Sequence, residues 1–302
     1  MRALFDRVSV LGLGLLGGSV AWAARSRGVA REVVGCGRRV EPLRDAQARG
    51  LIDRFSVDAA EAVAGADLVV LATPVGSMAA VLGSAARGLR TGAIVTDVGS
   101  VKSVLCETLP GLLPPGVVFV GAHPMAGSHE KGAEHARPDL LDGATCVVTA
   151  GPDDSAEIVA RVEAFWSALG ARVVRRDPAT HDLEVAWISH VPHALAFAFA
   201  RALGDAPPEA GQVAGTGFRD FTRIAQSDPE LWAEILVANR KAIAGPVARV
   251  ADRLAELARA VETGDVDEVD RWIAEARASL DAHDRQRISP DPEAKIRRPG
   301  HA

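Results

Sequence analysis

Hydrophobic residues in the first half of the chain come in short continuous runs, separated by stretches with helical spacing. The runs lie at residues 8–11, 33–35, 67–72, 94–97, 117–120 and 146–148. Continuous apolar character is typical of parallel strands that are covered on both faces. A helical stretch over residues 19–27 follows the first run, so the pattern predicts an α/β fold in which βαβ units build one doubly wound sheet.

The hydrophobic spacing changes at about residue 152. Beyond it, apolar residues recur at three- and four-residue intervals, with one short strand expected at residues 172–174. The predicted helices cover residues 155–169, 181–203, 229–260 and 266–282. We therefore expect a sheet domain over residues 1–152, an all-α domain over residues 153–283, and a charged, mobile tail over residues 284–302.

Composition and charge narrow the class of protein. The 302 residues include 34 Lys and Arg against 39 Asp and Glu, so no basic surface for nucleic acid is expected. Apart from residues 8–24, whose glycines have another explanation, no apolar run of about 18 residues suggests a membrane partner. Cys36, Cys106 and Cys146 are widely spaced and predict neither disulfides nor a zinc site. A reducing, cytoplasmic location fits best.

A glycine-rich loop follows the first predicted strand and opens the first predicted helix. It reads Gly12-Leu13-Gly14-Leu15-Leu16-Gly17. The first glycine of such a loop permits a tight turn, the second lets the backbone approach a pyrophosphate, and the third lets helix and strand pack closely. The spacing predicts a Rossmann-type domain that binds NAD or NADP. The alternative is a glycine turn without a ligand.

The second predicted strand ends without the acidic residue that binds the adenine ribose of NAD. Gly37 stands at the expected position, and Arg38 and Arg39 follow it. A carboxylate there would repel a 2′-phosphate, whereas guanidinium groups donate hydrogen bonds to one. We therefore hypothesise a preference for NADP, with a merely solvated pair of arginines as the alternative.

Six motifs, taken in order, resemble the signature of the prephenate and arogenate dehydrogenases. They are Gly-Leu-Gly-Leu-Leu-Gly-Gly-Ser at 12–19, Ala-Thr-Pro-Val at 72–75, Asp-Val-Gly-Ser-Val-Lys at 97–102, His-Pro-Met-Ala-Gly-Ser at 123–128, Ser-His-Val-Pro-His at 189–193 and Gly-Phe-Arg-Asp-Phe-Thr-Arg at 217–223. The first four lie in or after predicted strands, where α/β proteins bind ligands. The resemblance implies a Rossmann domain followed by a helical dimerisation domain, with a homodimer and an active site in the cleft between the two domains.

The resemblance also implies roles for single residues. The histidine that matches His123 accepts the proton of the substrate's ring hydroxyl, and the serine that matches Ser100 hydrogen-bonds to that hydroxyl or to the histidine. The arginine that matches Arg223 binds a substrate carboxylate, which a planar guanidinium does with two parallel hydrogen bonds. The further residues assigned are Ser128, Ser189 and His193 for the substrate and Thr73 and Pro74 for the cofactor.

The implied reaction is oxidative decarboxylation of prephenate to 4-hydroxyphenylpyruvate, with hydride transfer to NAD or NADP. A histidine with an ordinary pKa near 6.5 is a suitable base at neutral pH. Because aromatisation of the ring drives the reaction, no metal site is expected. Arogenate, which would yield tyrosine, is the nearest alternative substrate, and His129 and Thr216, which depart from the usual family pattern, leave the choice open.

Plainer interpretations stand beside these roles. His123 could be a turn residue, and Arg223 could pair with Asp220 on a helix surface. His190 and His193 could suggest a metal, but no third ligand accompanies them. Lys102 is structural or approaches the cofactor; the sequence leaves both open.

Two other classes of protein share parts of this sequence pattern. A 3-hydroxyacid-type dehydrogenase would use a lysine in the helical half, and residues 181–200 contain none. A non-catalytic dinucleotide-sensing protein would keep the glycine loop but would have no need for His123, Ser100 and Arg223 together.

Overall fold

The structure is a computed structural model of the chain and describes residues 3–127, 130, 132–151 and 154–288. The chain divides into two compact units, Met1–Ala244 and Gly245–Ala302. All β-strands of the described residues lie in the first unit, and the described part of the second unit is helical.

A six-stranded parallel sheet forms the centre of the first unit. Its strands are β1 (Phe5–Leu11), β2 (Ala30–Cys36), β3 (Arg54–Ser56), β4 (Leu68–Leu71), β5 (Ile94–Asp97) and β6 (Val118–Phe119). They pair in the order β3-β2-β1-β4-β5-β6. The strand order reverses between β1 and β4, which is the doubly wound Rossmann arrangement. The predicted α/β fold class, a Rossmann-type sheet followed by helices, is confirmed.

Apolar side chains fill both faces of this sheet. The helices between its strands are α1 (Leu15–Ser26), α2 (Val40–Ala48), α3 (Ala59–Val63), α4 (Val75–Ala85) and α5 (Ser103–Thr108). Val8, Val10 and Val70 belong to one buried cluster, whereas their neighbours Leu11 and Val69 belong to another. Successive strand residues point to opposite faces. Continuous apolar runs are therefore needed to bury both faces.

A second, three-stranded sheet follows along the chain. β7 (Gly121–Pro124) pairs antiparallel with β8 (Thr145–Thr149), and β8 pairs parallel with β9 (Arg172–Arg176). The prediction that residues 146–148 extend the first sheet is therefore wrong, since they lie in β8. An apolar run indicates burial, but the identity of the neighbouring strand depends on contacts that are distant in the sequence.

An aromatic cluster anchors α6 (Ala156–Ala168), the helix between β8 and β9. Phe165 packs edge to face against Phe5 of β1 and against Trp166, with ring centroids 5.9 and 5.2 Å apart. Phe165 and Trp166 are fully buried. Each contributes roughly 1.5–3 kcal/mol or more from burial alone, so the packing joins α6 firmly to the first strand.

Helices make up the rest of the first unit. They are α7 (Pro178–Val185), α8 (Val191–Ala202), α9 (Thr216–Arg223), α10 (Pro229–Ala238) and the start of α11 (Arg240–Thr263). Asp177 and Asp228 cap α7 and α10 by accepting backbone N–H bonds, and a proline follows each of them. The single helix predicted over residues 229–260 is wrong, because Asn239 interrupts it with a buried, hydrogen-bonded side chain.

The residues from Pro178 to Asp205 form one continuous helical run, with a π-type turn at Ala186–His190 between α7 and α8. By length and composition alone, this is the one helix among the described residues that could cross a membrane. Its polar residues His181, Asp182 and His190 are buried within the first unit and hydrogen-bonded there. The run therefore supplies polar groups to the protein interior.

The second unit contains the remainder of α11 and α12 (Val266–Ile288). Large apolar side chains on its two helices are exposed, namely Leu254, Val261, Val266, Ile273 and Leu280. Most of the predicted tail, residues 289–302, lies outside the described residues.

A buried ion pair joins the end of β5 to β7. Lys102 and Asp97 are both 0% exposed, and Lys102 Nζ donates hydrogen bonds to the Asp97 carboxylate and to the carbonyl oxygen of Ala122. Asp97 also accepts the N–H groups of Gly99 and Ala122, at 2.8 and 2.9 Å. These bonds satisfy both charges, and they assign Lys102 to a structural role.

Replacing one member of this pair should destabilise the first unit strongly. We expect Lys102→Met to lower the free energy of unfolding by about 3–5 kcal/mol, because the Asp97 charge loses its counter-ion. Arg175→Met removes the exposed pair with Glu163 and should cost less than about 1 kcal/mol. Urea denaturation, monitored by fluorescence, measures the free energy of unfolding of both variants. Equal losses in the two variants would contradict a special contribution from the buried pair.

Candidate active site

The glycine loop has the geometry that a dinucleotide pyrophosphate requires. Gly12 has a φ of 106°, and a Cβ atom added to Gly17 would stand 2.0 Å from the carbonyl oxygen of Gly12. A Cβ atom on Gly14 would meet nothing within 4 Å, which leaves open space above the loop. α1 begins directly afterwards without a side-chain cap, so its first N–H groups can bind an anion.

The neighbouring strand end supports the same interpretation. Thr73 follows β4 beside Gly12, and its buried hydroxyl oxygen has no hydrogen-bond partner in the described part of the chain. Pro74 is exposed at the start of α4. Buried polar atoms are normally satisfied, so the unpaired hydroxyl fits a bound ligand. Of the predicted loop residues, Leu13 and Leu16 pack against the buried cluster that contains Val8 and Val10, and Leu15 is half-buried.

The loop after β2 carries the residues predicted to select the cofactor. Arg38 and Arg39 are exposed, and neither forms an ion pair with another described residue. Gly37 is half-buried, and a Cβ atom added there would lie 3.3 Å from the Leu43 side chain. The two guanidinium groups are thus available to a ligand at the carboxyl end of β2.

His123 lies on β7 and takes part in a buried chain of three side chains. Its Nδ1 atom lies 2.9 Å from Nε2 of His181, and His181 Nδ1 lies 2.8 Å from Oδ1 of Asp182. All three residues are buried. His123 therefore lies in a strand, so the plainer interpretation of it as a turn residue is wrong. Residues 121–124, which directly follow the predicted run at 117–120, form this strand.

Asp182 connects this chain of side chains to the segment that carries Ser100. Its carboxylate accepts the N–H groups of Lys102 and Ser103, at 2.7 and 2.9 Å. Ser100 is half-buried, two residues before Lys102. The segment is thus bonded both to α7 through Asp182 and to β7 through the buried ion pair, which brings the Ser100 segment and the His123 strand to the same edge of the sheets.

The charge states of these residues follow from burial. Burial lowers the pKa of His123 well below 6.5, and the nearby His181, Lys102 and His190 lower it further. Burial opposes ionisation of Asp182, but hydrogen bonds from His181, Lys102 and Ser103 outweigh it, so the pKa of that carboxyl is lowered. At neutral pH the site therefore holds a neutral His123 near an ionised Asp182.

His190 and His193 face different partners although they are close in sequence. Nδ1 of His190 lies 2.9 Å from the Asn239 side-chain nitrogen, and burial lowers the pKa of His190 to about 4. His193 donates from Nδ1 to the carbonyl oxygen of Ser189 at 2.9 Å and stacks on Trp232 at 3.6 Å between ring centroids. The described residues contain no group of three or more metal-ligating side chains, and these two histidines bind neighbours instead.

Arg223 is exposed at the end of α9. Its charge contributes to lowering the pKa of His193, after burial, which indicates that the two side chains are near each other. Within the described residues, no ion pair joins Arg223 to Asp220. The assignment of Arg223 to the substrate stays a prediction. Ser128, the remaining predicted substrate residue, lies outside the described residues, as does His129.

Sequence reasoning did not find several residues that complete this region. His181, Asp182 and Asn239 link His123 and His190 to α10, because Asn239 also donates to the backbone carbonyl of Asp182 at 2.9 Å. Glu234 on α10 accepts the N–H of Gly76 at the start of α4, at 3.3 Å. A histidine-aspartate pair inside an apolar helix is a signal of buried polar function, but its partners lie more than 50 residues away in the sequence.

Comparison with known proteins gives a consistent result. The family model described as the prephenate dehydrogenase nucleotide-binding domain matches residues 20–175, and that of the prephenate dehydrogenase dimerization domain matches residues 177–275. Prephenate dehydrogenase from Bacillus subtilis is 32% identical over 247 residues, which is 80% of this chain and 67% of that protein.

Solved structures agree. Prephenate dehydrogenase from Aquifex aeolicus, in complex with hydroxyphenyl propionate and NAD+, matches with a TM-score of 0.83 at 29% identity over 93% of this chain and 97% of the other. Synechocystis arogenate dehydrogenase matches with a TM-score of 0.79 at 29% identity, over 92% and 99% of the two chains. With its glycine loop and its buried histidine chain, the protein belongs to the prephenate dehydrogenase family.

Proposed function

We propose that this chain oxidises and decarboxylates prephenate to 4-hydroxyphenylpyruvate in tyrosine biosynthesis. The observation that carries the proposal is the buried, neutral imidazole of His123, which is held in the same unit as an open dinucleotide loop. When bound, a nicotinamide dinucleotide accepts a hydride from the substrate's ring carbon. The residues of the chain then have to position the substrate and move one proton.

His123 acts as the proton acceptor at the ring hydroxyl. As its Nε2 atom takes the hydroxyl proton, the oxygen's electrons form a carbonyl bond and the ring carbon gives up its hydride. Loss of the ring carboxylate as CO₂ then restores an aromatic ring with a phenolate oxygen, which takes the proton back from His123. The reaction therefore needs no net proton from water, which suits a buried base.

The remaining predicted residues hold the substrate. Arg223 binds a carboxylate, and Ser100 hydrogen-bonds to the reacting hydroxyl or to His123. His193, with Nδ1 donating to the Ser189 carbonyl and its ring stacked on Trp232, offers Nε2 to the substrate from a fixed ring. These contacts supply positioning and charge complementarity, the principal contributions available without a metal.

We further propose that the enzyme is a cytoplasmic homodimer. Residues 177–275 match a dimerisation domain, and the described part of the second unit exposes apolar side chains on both of its helices. A helix pair of this size cannot bury such faces by itself. A second copy of the chain is the natural cover for them.

The enzyme should convert prephenate and depend on His123. Wild-type protein should form 4-hydroxyphenylpyruvate from prephenate and NAD or NADP, as measured by the absorbance of the reduced cofactor. His123→Asn should lower kcat by roughly 100-fold or more while leaving cofactor affinity nearly unchanged, since a general base is lost. Arogenate serves as the parallel substrate, with tyrosine as its product. Faster turnover of arogenate than of prephenate would replace the assigned substrate, and a His123→Asn variant with normal kcat would remove the assigned base.

The pH profile of kcat/KM should show the lowered pKa of His123. The base must be neutral, so activity is present above its pKa and is lost as the pH falls through it. Because that pKa lies below 6.5, kcat/KM should stay level from about pH 8 down to about pH 6.5 and fall only at lower pH. A decline that begins above pH 7 would indicate that the base is not the buried histidine.

NADP should be preferred over NAD because of the arginines after β2. We expect the double variant Arg38→Ala/Arg39→Ala to lower kcat/KM for NADP by about 10- to 100-fold and to change that for NAD by less than about threefold, since charge-assisted bonds contribute 1.5–3 kcal/mol. Arg44→Ala, at an exposed arginine of α2, is the matched control. Equal effects on both cofactors, or a wild-type preference for NAD, would contradict this assignment.

A further inference from the structure

We propose that His181 and Asp182 are a positioning pair that holds His123 in the one neutral tautomer able to take a proton from the substrate. The inference deepens the proposed function and rests on it. It is carried by the unbroken chain of buried side chains, with 2.9 Å from His123 Nδ1 to His181 Nε2 and 2.8 Å from His181 Nδ1 to Asp182 Oδ1.

The direction of the hydrogen bonds follows from the Asp182 carboxylate. An ionised carboxylate has no proton to donate, so His181 must donate from Nδ1. With its Nδ1 proton directed at Asp182, His181 accepts from His123 through the lone pair of Nε2. His123 therefore carries its proton on Nδ1, and its Nε2 atom is left as the basic nitrogen.

The opposite tautomer is disfavoured by the same contacts. If His123 carried its proton on Nε2, its Nδ1 lone pair would face the lone pair of His181. Removing this repulsion between lone pairs would require either a second ring proton on His181 or the loss of its bond to Asp182. Because His181 is 1% exposed and Asp182 4% exposed, water cannot readily replace the lost partner. One tautomer is thus selected before substrate binds.

The pair also stabilises the state after proton acceptance. Charged and titratable groups approach His123 from three elements: His181 on α7, Lys102 before α5, and His190 in the π-type turn. The charge of Lys102, which is paired with Asp97, opposes a cationic His123. Asp182, reached through His181, supplies the negative charge that offsets the new positive one. The same logic operates when an aspartate orients the histidine of a hydrolase triad.

Asp182 has a structural role as well, since it accepts the N–H groups of Lys102 and Ser103. Substitution of Asp182 would disturb that segment and would not isolate the effect on His123. His181 is the better position for a test, because within the described residues its side chain hydrogen-bonds only to His123 and Asp182.

Two amide substitutions at position 181 separate the two bonds. The amide group of glutamine reaches the position of imidazole Nε2, so His181→Gln retains an acceptor for His123 Nδ1. The amide group of asparagine reaches the position of Nδ1, so His181→Asn retains the partner of Asp182 but loses His123. We expect kcat to fall about 100-fold in His181→Asn and less than about tenfold in His181→Gln, with KM for prephenate and cofactor affinity within about threefold of wild type in both.

A second measurement reports the tautomer without turnover. In protein labelled with ¹⁵N-histidine, the His123 signals are assigned by their loss in His123→Asn. Wild type and His181→Gln should show His123 protonated on Nδ1 alone, and His181→Asn should show a mixture of both tautomers. This measurement on the wild type stands even if both His181 variants fail to fold.

Failure of the positioning role and failure of the proposed function give different results. A wild-type His123 protonated on Nε2, a His181→Asn variant with normal kcat, or equal losses of kcat in both variants would overturn the positioning role. An enzyme that turns over neither prephenate nor arogenate, yet shows the Nδ1 tautomer, would instead contradict the proposed function and leave the hydrogen-bond assignment intact.

Discussion

The site and much of the fold around it depend on the hydrogen bonds that the buried Asp182 carboxylate accepts. It is buried on α7 and accepts hydrogen bonds from the backbone that leads into α5 and from His181, which in turn reaches β7. A buried charge that loses these partners would be very costly, so the segments that provide them are held in one arrangement. The helix, the loop after β5 and the strand with His123 are therefore positioned together.

The parallel sheet positions the glycine loop. Its order reverses between β1 and β4, where the glycine loop and Thr73 meet, and such a reversal opens a crevice at the carboxyl ends of the strands. The buried Lys102–Asp97 pair ties β5 to β7. The glycine loop and His123, the proposed base, are thus both held by packed backbone. Arg223, the proposed ligand of a substrate carboxylate, is exposed, and its charge contributes to lowering the pKa of His193.

The sequence was sufficient for the features that local patterns encode. The glycine loop, the parallel strands and the helical second half follow from periodicity and spacing. The motif at 123–128 marks His123 as the candidate base, which stays a prediction. Sequence reasoning failed where the partner is distant. Residues 146–148 pair in a second sheet, Asn239 breaks a helix to bond with His190, and His181 meets His123 across 58 residues. No local pattern specifies such pairings, since tertiary contacts determine them.

A crystal structure of the protein with NAD+ and hydroxyphenyl propionate, the ligand pair of the Aquifex aeolicus complex, would test the central claim most directly. We expect the phenol oxygen to lie within hydrogen-bond distance of His123 Nε2, His181 to remain hydrogen-bonded to His123 Nδ1, and Arg223 to reach the ligand carboxylate. A phenol ring bound away from His123, or bonded to its Nδ1 atom with His181 displaced, would contradict it.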